Sequence, residues 1–144
     1  MKAVVIYSKT GNTRSVAERL IGPACPLLEV IPKVDNPKIE HPELKEIPNI
    51  TTYDHIVLGS PVHGFSLSNA MREYILRTDF SGKKVDLFVT HFFPFAWMGG
   101  NQTLKQMKKL IEQKGGEVGL TTSINWKNKK RQTDIDSLVE RYTA

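Results

Sequence analysis

The most constraining feature of this chain is the stretch from Val4 to Arg14, near the N-terminus. It consists of an apolar run, a short polar segment and the start of a helical pattern. Residues 3–7 are apolar and partly β-branched, which predicts a buried strand. Because the apolar residues of 15–21 recur at helical spacing, we expect a helix to follow the polar segment.

The polar segment has the composition of an anion-binding loop. Gly11 lets the backbone approach a ligand closely or adopt a positive φ. The helix N-terminus adds free N–H groups and a dipole that favour a phosphate, and side-chain donors come from Ser8, Thr10, Asn12 and Thr13. The alternative is an ordinary α/β turn in which Asn12 or Thr13 only caps the helix. The segment contains neither a Walker P-loop nor a Gly-x-Gly-x-x-Gly dinucleotide motif.

The segment Ser8-Lys9-Thr10-Gly11-Asn12-Thr13 resembles the phosphate loop of the flavodoxins, which bind flavin mononucleotide (FMN). The pattern of that family is Ser/Thr-x-Thr-Gly-Asn-Thr after the first strand, and the match is complete. The resemblance implies that FMN is the cofactor and that all six residues of this loop bind its 5′-phosphate.

The length of 144 residues indicates a single domain over residues 1–144, and its content of 40% apolar and 24% charged residues is typical of a globular protein. No apolar run has the length of a membrane span, and the N-terminus has no signal-peptide pattern, so we expect a cytoplasmic protein. The single Cys25 excludes an internal disulfide and is interpreted as a small apolar residue. The His residues have no ligand spacing, so we predict no metal site.

The net charge of +5 raises the question of an anionic partner. The positive residues are mostly scattered, and one cluster stands out, at residues 127–131. Only Trp126 supplies an adjacent aromatic ring, and no helix-turn-helix or zinc-finger pattern accompanies the cluster. We therefore interpret it as a solvated loop and predict no nucleic-acid partner.

Strands alternate with helices or crossover segments along the chain. We predict strands at 3–7, 27–31, 53–60, 85–90 and 118–126, and helices at 15–21, 68–77, 102–114 and 135–142. Four prolines in residues 32–52 leave room for at most a helical turn or two, near 43–46. This alternation predicts an α/β fold, a doubly wound five-stranded parallel sheet with helices on both faces. The expected order is 2-1-3-4-5, the flavodoxin-like arrangement, with the ligand at the carboxyl ends of strands 1 and 3.

The loop after the third predicted strand, residues 59–67, resembles the second flavin loop of the flavodoxins, Gly-Ser-Pro-x-aromatic-Gly. Pro61 stiffens this loop, and Gly64 permits a peptide orientation that other residues resist. The resemblance implies that this glycine peptide offers its carbonyl to the reduced flavin. His63 stands at the position that is usually aromatic, and its alternative role is an exposed loop histidine. The implied flavin contacts are Ser60, Pro61, Val62, His63 and Gly64.

The loop after the fourth predicted strand, residues 90–100, is rich in aromatic residues. Connecting loops are usually polar and exposed, so this composition predicts either a flat ligand or a surface covered by the domain itself or by a dimer partner. Aromatic walls suit an isoalloxazine ring. The resemblance implies an outer stacking residue here, with Phe93 or His91 as the first candidates, and the implied contacts are Thr90, His91, Phe92, Phe93 and Gly99. The loop departs from the acidic version common in flavodoxins, since it contains no Asp or Glu.

The resemblance implies an FMN-binding redox protein that transfers electrons through the flavin, without catalytic residues of its own. We expect few negative groups at the site and expect Lys9 and His63 nearby, which predicts a less negative low potential than that of an acidic flavodoxin. The alternatives are an FMN-dependent oxidoreductase acting on a quinone, a small oxidant or a nicotinamide, and a flavodoxin-like domain without flavin. The expected partners are redox proteins or a small-molecule oxidant or reductant. Since flavodoxins are generally acidic, this basic chain requires different docking surfaces.

Overall fold

The computed structural model describes residues 1–64, 66–92 and 99–143. Its helices are α1 (Asn12–Ala17), α2 (Asn69–Leu76), α3 (Gly100–Gln113) and α4 (Arg131–Thr143). Its strands are β1 (Lys2–Ile6), β2 (Leu27–Glu29), β3 (Ile31–Pro32), β4 (Leu44–Glu46), β5 (His55–His63), β6 (Ser66–Leu67), β7 (Lys84–His91) and β8 (Glu117–Asn125). Within these ranges, no helix combines the length and the apolar character needed to cross a membrane.

The main sheet has the order β2-β1-β5-β7-β8, and all four of these pairings are parallel. This confirms the predicted order 2-1-3-4-5. β1 lies between two neighbours, and its Val4 is in register with Leu27 on β2 and Val57 on β5. Residues 3–6 of β1 are completely buried, because helices cover both faces of a parallel sheet and its central strands contact no water.

Two apolar clusters cover the two faces of the sheet. One contains Val5, Leu58 and Leu87 together with Met71, Tyr74, Met107 and Ile111 from α2 and α3. The other contains Val4, Val57 and Phe88 together with Val16, Leu138 and Tyr142 from α1 and α4. Alternate strand residues therefore face opposite helix layers, as the two-residue period of a strand requires.

Tyr142, in the last turn of α4, ties distant parts of the sheet together. Its hydroxyl donates to the carbonyl of Leu87 on β7 (2.5 Å) and lies 2.9 Å from the hydroxyl of Thr122 on β8. Its own carbonyl accepts a hydrogen bond from the ammonium of Lys2 on β1. Burial, the largest influence, raises the pKa of Tyr142 to about 12, so its hydroxyl remains a donor at neutral pH.

The predicted helical turn near 43–46 is wrong. Leu44–Glu46 is strand β4, which pairs antiparallel with β3 through Ile31 and Pro32. Leu44 is buried, whereas its neighbours Glu43 and Lys45 are exposed, and this alternation has the period of a strand. The prolines on both sides of β4 prevent a longer helix but permit a short edge strand.

Three helices begin earlier than predicted, and for α3 the difference is two residues, since it begins at Gly100. α1 begins at Asn12 and ends at Ala17, after which the N–H groups of Arg19 and Leu20 bond to carbonyls only three residues back. This tighter turn ends the α-helix before Ile21. α4 begins at Arg131, four residues before the predicted start, because the predicted helix was bounded by its apolar positions alone.

Candidate functional site

The first loop wraps around the hydroxyl of Ser8. Its oxygen accepts hydrogen bonds from the backbone N–H groups of Gly11 (3.2 Å) and Arg14 (3.3 Å). Gly11 precedes the first residue of α1 and has a φ of 91°, a left-handed conformation that side-chain-bearing residues rarely adopt. The N-cap residue is Gly11, and neither Asn12 nor Thr13 caps α1 with its side chain. Arg14 N already donates to Ser8, whereas the N–H groups of Asn12 and Thr13 have no carbonyl partner within the helix, which leaves them suited to an anion.

Thr13 connects this loop to the end of β7. Its hydroxyl lies 3.0 Å from the hydroxyl of Thr90, and both side chains are almost completely buried. A buried hydroxyl without a hydrogen-bond partner destabilises the folded protein, and these two hydroxyls serve as partners for each other. The first and third predicted loops therefore meet through a direct side-chain contact.

The prediction of a second loop over residues 59–67 is corrected by the structure, because most of this segment is a β-hairpin. β5 continues to His63, and β6 folds back so that Val62 pairs with Leu67 and His63 with Ser66. The parallel pairing of β5 with β7 ends at Pro61, which has no N–H to continue the ladder. Gly64 begins the turn with a φ of 54°, and Phe65 lies outside the described residues.

Ser60 fixes the base of this hairpin. Its completely buried hydroxyl lies 2.9 Å from the hydroxyl of Ser68, which also accepts a hydrogen bond from Met71 N at the start of α2. Pro61 and Val62 are half-buried between this anchor and the tip. The hairpin is therefore held at the carboxyl end of β5, beside β1.

His63 is half-buried and packs against Tyr7, with the two ring planes at 83° and their centroids 5.9 Å apart. It is thus not the exposed loop histidine of the alternative interpretation. Within the described part of the chain, its buried Nδ1 has no hydrogen-bond partner. Burial lowers the pKa of His63. The nearby charge of Asp35 raises this pKa in part, and the charge of Lys9 lowers it further.

Asp35, which the sequence did not indicate, completes this cluster. Tyr7 donates its hydroxyl hydrogen to Asp35 Oδ1 (2.6 Å). The ammonium of Lys9 bonds to the Asp35 carbonyl (2.6 Å) and lies 3.3 Å from its Oδ2. Burial first, and then the neighbouring Asp35, raise the pKa of Tyr7, which keeps the phenol protonated. Lys9 and His63 both belong to this cluster, and the Asp35 carboxylate lies with them.

The third predicted loop is described only at its two ends. His91 is buried, and its carbonyl accepts a hydrogen bond from Trp126 N (2.7 Å), whereas the Phe92 side chain is 48% exposed. Phe93, the candidate stacking residue, lies outside the described residues, as do residues 94–98. Gly99 precedes α3, and its carbonyl accepts a hydrogen bond from Thr103 N (2.8 Å).

Gly100, at the start of α3, is a second residue that the sequence analysis did not select. A Cβ at this position would lie 2.2 Å from Ser123 Oγ and 3.3 Å from His91 Cδ2. Any larger residue would require Ser123 to shift, so α3 approaches the ends of β7 and β8 closely. In the sequence, the Gly-Gly pair at 99–100 is the feature that indicates such a close approach.

The structure thus gathers three groups of the selected residues at one edge of the sheet. Ser8 to Thr13 follow β1, Ser60 to Gly64 end β5, and Thr90 to Phe92 end β7 and follow it. Direct contacts connect β1 to β5 through Tyr7 and His63, and the first loop to β7 through Thr13 and Thr90. Lys9, Thr10 and Gly11 are exposed, and Ser8 and Asn12 are half-buried.

No protein-family model and no curated protein matches this chain. Solved structures do match it over nearly its whole length. A flavoprotein in complex with FMN from Lactobacillus acidophilus NCFM is 16% identical, with 99% of this chain and 98% of that chain covered and a TM-score of 0.72. A WrbA-like flavodoxin from Agrobacterium tumefaciens is 17% identical, with 99% and 92% covered and a TM-score of 0.72.

Oxidised flavodoxin 2 from Bacillus cereus is a further match, 18% identical, with 99% of this chain and 97% of that chain covered and a TM-score of 0.67. At these identities, the likeness concerns the course of the backbone. The strand order, the parallel pairing and the placement of the helices all agree with it. The chain has the flavodoxin-like fold.

Proposed function

We propose that this chain binds FMN at the carboxyl ends of β1, β5 and β7 and serves as an electron carrier. The observation that carries the proposal is the convergence of the three loops through the contacts Thr13–Thr90 and Tyr7–His63. This convergence lies where the strand order reverses, between β1 and β5, which is the usual ligand position in open α/β sheets. That FMN is the ligand of one solved neighbour with this fold supports the choice of flavin.

The first loop fits a phosphate group. The N–H groups of Asn12 and Thr13 at the start of α1 would donate to it, and the exposed Thr10 and half-buried Asn12 would add side-chain donors. The Ser8 hydroxyl is already engaged by two backbone N–H groups of the loop. Its role would therefore be to hold the loop open around the phosphate.

The hairpin end fits a flat ring with a polar edge. His63 Nδ1 is buried and has no partner among the described residues, and a polar atom of a bound ring would supply one. Because burial lowers its pKa, His63 would meet that ring as a neutral imidazole. FMN, when bound, supplies reversible one-electron and two-electron transfer.

Asp35 and Lys9 would adjust the local potential with opposite signs. The Asp35 carboxylate disfavours added negative charge on a nearby ring, and the Lys9 ammonium favours it. Since the two side chains are paired with each other (3.3 Å), their effects on a ring beside Tyr7 partly cancel. The paired arrangement supports a low potential that is less negative than that of an acidic flavodoxin.

An FMN-dependent oxidoreductase is the second candidate. That alternative requires a substrate pocket formed by the aromatic segment after β7, of which only the exposed Phe92 belongs to the described residues. A flavodoxin-like domain without flavin is the third candidate. The carrier proposal is preferred because the contacts Thr13–Thr90 and Tyr7–His63 would position a flavin, and electron transfer through the flavin requires no separate substrate pocket.

Two measurements test the proposal. Flavin-free protein is titrated with FMN and, separately, with riboflavin, and flavin fluorescence is followed. We expect tight binding of FMN and much weaker binding of riboflavin, which lacks the phosphate. A colourless protein that leaves the fluorescence of both flavins unchanged would end the flavin proposal.

Stopped-flow mixing of the FMN-loaded protein with NADH or NADPH separates a carrier from an enzyme. A carrier is reduced only through an added reductase. Rapid direct reduction by either nucleotide would instead favour the oxidoreductase.

A further inference from the structure

The positive charge of this protein belongs to one part of the chain. Residues 87–133 contain eight Lys or Arg and only two acidic residues, a net charge of +6. The remaining residues contain 12 Lys or Arg and 13 acidic residues, a net charge of −1. The net positive charge of the protein therefore comes entirely from residues 87–133, which form most of β7, α3, β8 and the turn before α4.

Five of these charges lie along one flank of the fold. β8 is an edge strand of the main sheet, and a groove beside it is lined by Leu104, Lys105 and Lys108 of α3 together with Val118 and Thr121 of β8. At the carboxyl end of β8, residues 127–131 are all exposed. We name the lysines at positions 105, 108, 127, 129 and 130 the basic flank. The basic flank reaches the carboxyl ends of the strands, where the predicted flavin site also lies.

The turn that carries three of these lysines is held in place by several contacts. Trp126 N donates to the His91 carbonyl (2.7 Å), which ties the turn to the end of β7. The guanidinium of Arg131 lies 4.8 Å from the Trp126 ring centroid and donates to the Trp126 carbonyl (2.7 Å). The side-chain oxygens of Asn125 and Asn128 accept from Lys127 N (3.0 Å) and Lys130 N (2.9 Å). Such preorganisation reduces the entropy that a partner must offset on binding.

An exposed aromatic residue borders the basic flank. Phe92 follows β7 directly and is 48% exposed, and Lys127 Nζ lies 6.0 Å from its ring centroid. Protein interfaces typically combine an aromatic contact with a charged rim. Because Phe92 follows the strand that ends at the predicted flavin site, a partner seated here would lie close to the flavin.

The acidic side chains nearest in sequence do not cancel this charge. The closest one after the turn is Asp134, in the first turn of α4, and Asp136 is paired with Arg19 (2.6 Å). Glu112 and Glu117 are the two acidic residues of the segment, and both lie towards the amino end of β8. The carboxyl end of the basic flank therefore keeps a positive field.

We propose that the basic flank, with Phe92 beside it, docks the acidic surface of a protein that exchanges electrons with this chain. The proposal builds on the proposed function. The positive groups extend from α3 along β8 to the turn and do not converge on one pocket, which fits an extended acidic surface better than a single phosphate. Opposite charges on two such surfaces accelerate encounter and fix orientation, and salt weakens the effect.

Isothermal titration calorimetry tests the surface without requiring flavin. The probe is a plant-type [2Fe–2S] ferredoxin, a small acidic electron carrier, and a basic cytochrome c serves as the probe of opposite sign. We expect the wild-type protein to bind the ferredoxin at low ionic strength, to lose this binding in 0.5 M NaCl, and not to bind the cytochrome.

A matched pair of double variants locates the site. Lys129→Glu/Lys130→Glu reverses two exposed lysines of the turn. Lys38→Glu/Lys45→Glu makes the same change in total charge at two exposed lysines between β3 and β5. We expect the first variant to weaken ferredoxin binding by about tenfold or more and the second by less than about threefold, since steering depends on where charge lies.

Electron transfer provides the functional measurement. One electron leaves the reduced ferredoxin cluster and enters the flavin of the FMN-loaded protein, and stopped-flow absorbance follows both. The rate at low ionic strength should fall by about tenfold in Lys129→Glu/Lys130→Glu and approach the wild-type rate in high salt. FMN titration of every variant keeps a failure of flavin binding distinct from a failure of docking.

Several outcomes would overturn the proposal. If both double variants weakened ferredoxin binding equally, the effect would come from total charge and not from the basic flank. If the protein bound the cytochrome in preference to the ferredoxin, its partner would have a basic surface and not an acidic one. Binding of duplex DNA or of phosphatidylserine vesicles that is tighter than ferredoxin binding and lost in Lys129→Glu/Lys130→Glu would assign the flank to a nucleic acid or a membrane.

Discussion

Tyr7 and Asp35 are joined by a hydrogen bond of 2.6 Å between the phenol and the carboxylate. The bond connects the end of β1 to the crossover that follows β3, and the ammonium of Lys9 holds the same carboxylate from the other side. A negative group therefore lies next to His63 and the predicted flavin site, although the loop after β7 contains none. Any account of the redox properties of this chain must include Asp35.

Asp35 and Lys9 should shift the potential of bound FMN in opposite directions. Asp35→Asn removes a negative charge that opposes reduction, so we expect a less negative potential for the most reduced couple. Lys9→Met removes the positive charge and should make that potential more negative, each by on the order of tens of millivolts. Anaerobic redox titration measures both variants, and shifts of the same sign in the two would contradict the prediction.

Thr13 and Thr90 should behave as a coupled pair. Thr13→Val or Thr90→Val alone leaves one buried hydroxyl without its partner, which we expect to cost about 1–3 kcal/mol of unfolding free energy. The double variant removes both hydroxyls and should be less destabilised than the sum of the single variants. Urea unfolding of the four proteins gives the coupling energy, and strict additivity would show that the contact of 3.0 Å contributes nothing.

Because of His63, the protein should lose stability as the pH falls. Burial lowers its folded pKa below the ordinary value of 6.5, so in acid the unfolded chain binds a proton that the folded protein resists. The stabilisation is therefore fully present above pH 6.5 and is lost as the pH falls through the folded pKa. Urea unfolding at pH 8 and pH 5 should show a larger loss for the wild type than for His63→Gln.

The control for this prediction is Val62→Ala, which changes a half-buried residue of the same strand that does not titrate. That variant should keep the pH dependence of the wild type. An unchanged pH dependence in His63→Gln would show that His63 is as free to protonate in the folded protein as in the unfolded chain.

Gly59 should not tolerate a side chain. A Cβ there would lie 2.2 Å from Cζ of Phe88 on the adjacent strand, so Gly59→Ala should destabilise the protein by about 2–3 kcal/mol through overpacking. Gly22→Ala is the matched control, because a Cβ at Gly22 meets no atom within 4 Å. Chemical denaturation compares them, and Phe88→Leu combined with Gly59→Ala should recover part of the loss by opening space.

The parallel sheet was predictable because each of its central strands is an apolar run buried on both faces, as residues 3–6 show. Such runs are visible in a sequence, and their alternation with helical patterns leaves few topologies. The pairing of β3 with β4 was not predicted. These strands have two and three residues, too few for a period to stand out, and they form through contact with each other.

The site was predictable where it follows strand ends and not where it depends on distant contacts. Thr90 was selected because it lies at the carboxyl end of a strand, and Thr13 because it belongs to the polar segment between the first strand and its helix. Asp35 was missed because its partner Tyr7 is 28 positions away and no local pattern relates them. The β5–β6 hairpin did have a signal, a glycine between short apolar segments, but the resemblance to a flavin loop directed the interpretation to a loop.

The contacts of Tyr142 have a consequence for the order of folding. Its carbonyl accepts a hydrogen bond from Lys2, and its hydroxyl lies between Leu87 and Thr122, so one residue of α4 contacts β1, β7 and β8. The bond to Lys2 joins residues that are 140 positions apart. Because a contact between such distant positions closes a long loop, its entropic cost is highest before the rest of the sheet has formed, and we expect this bond to form late in folding.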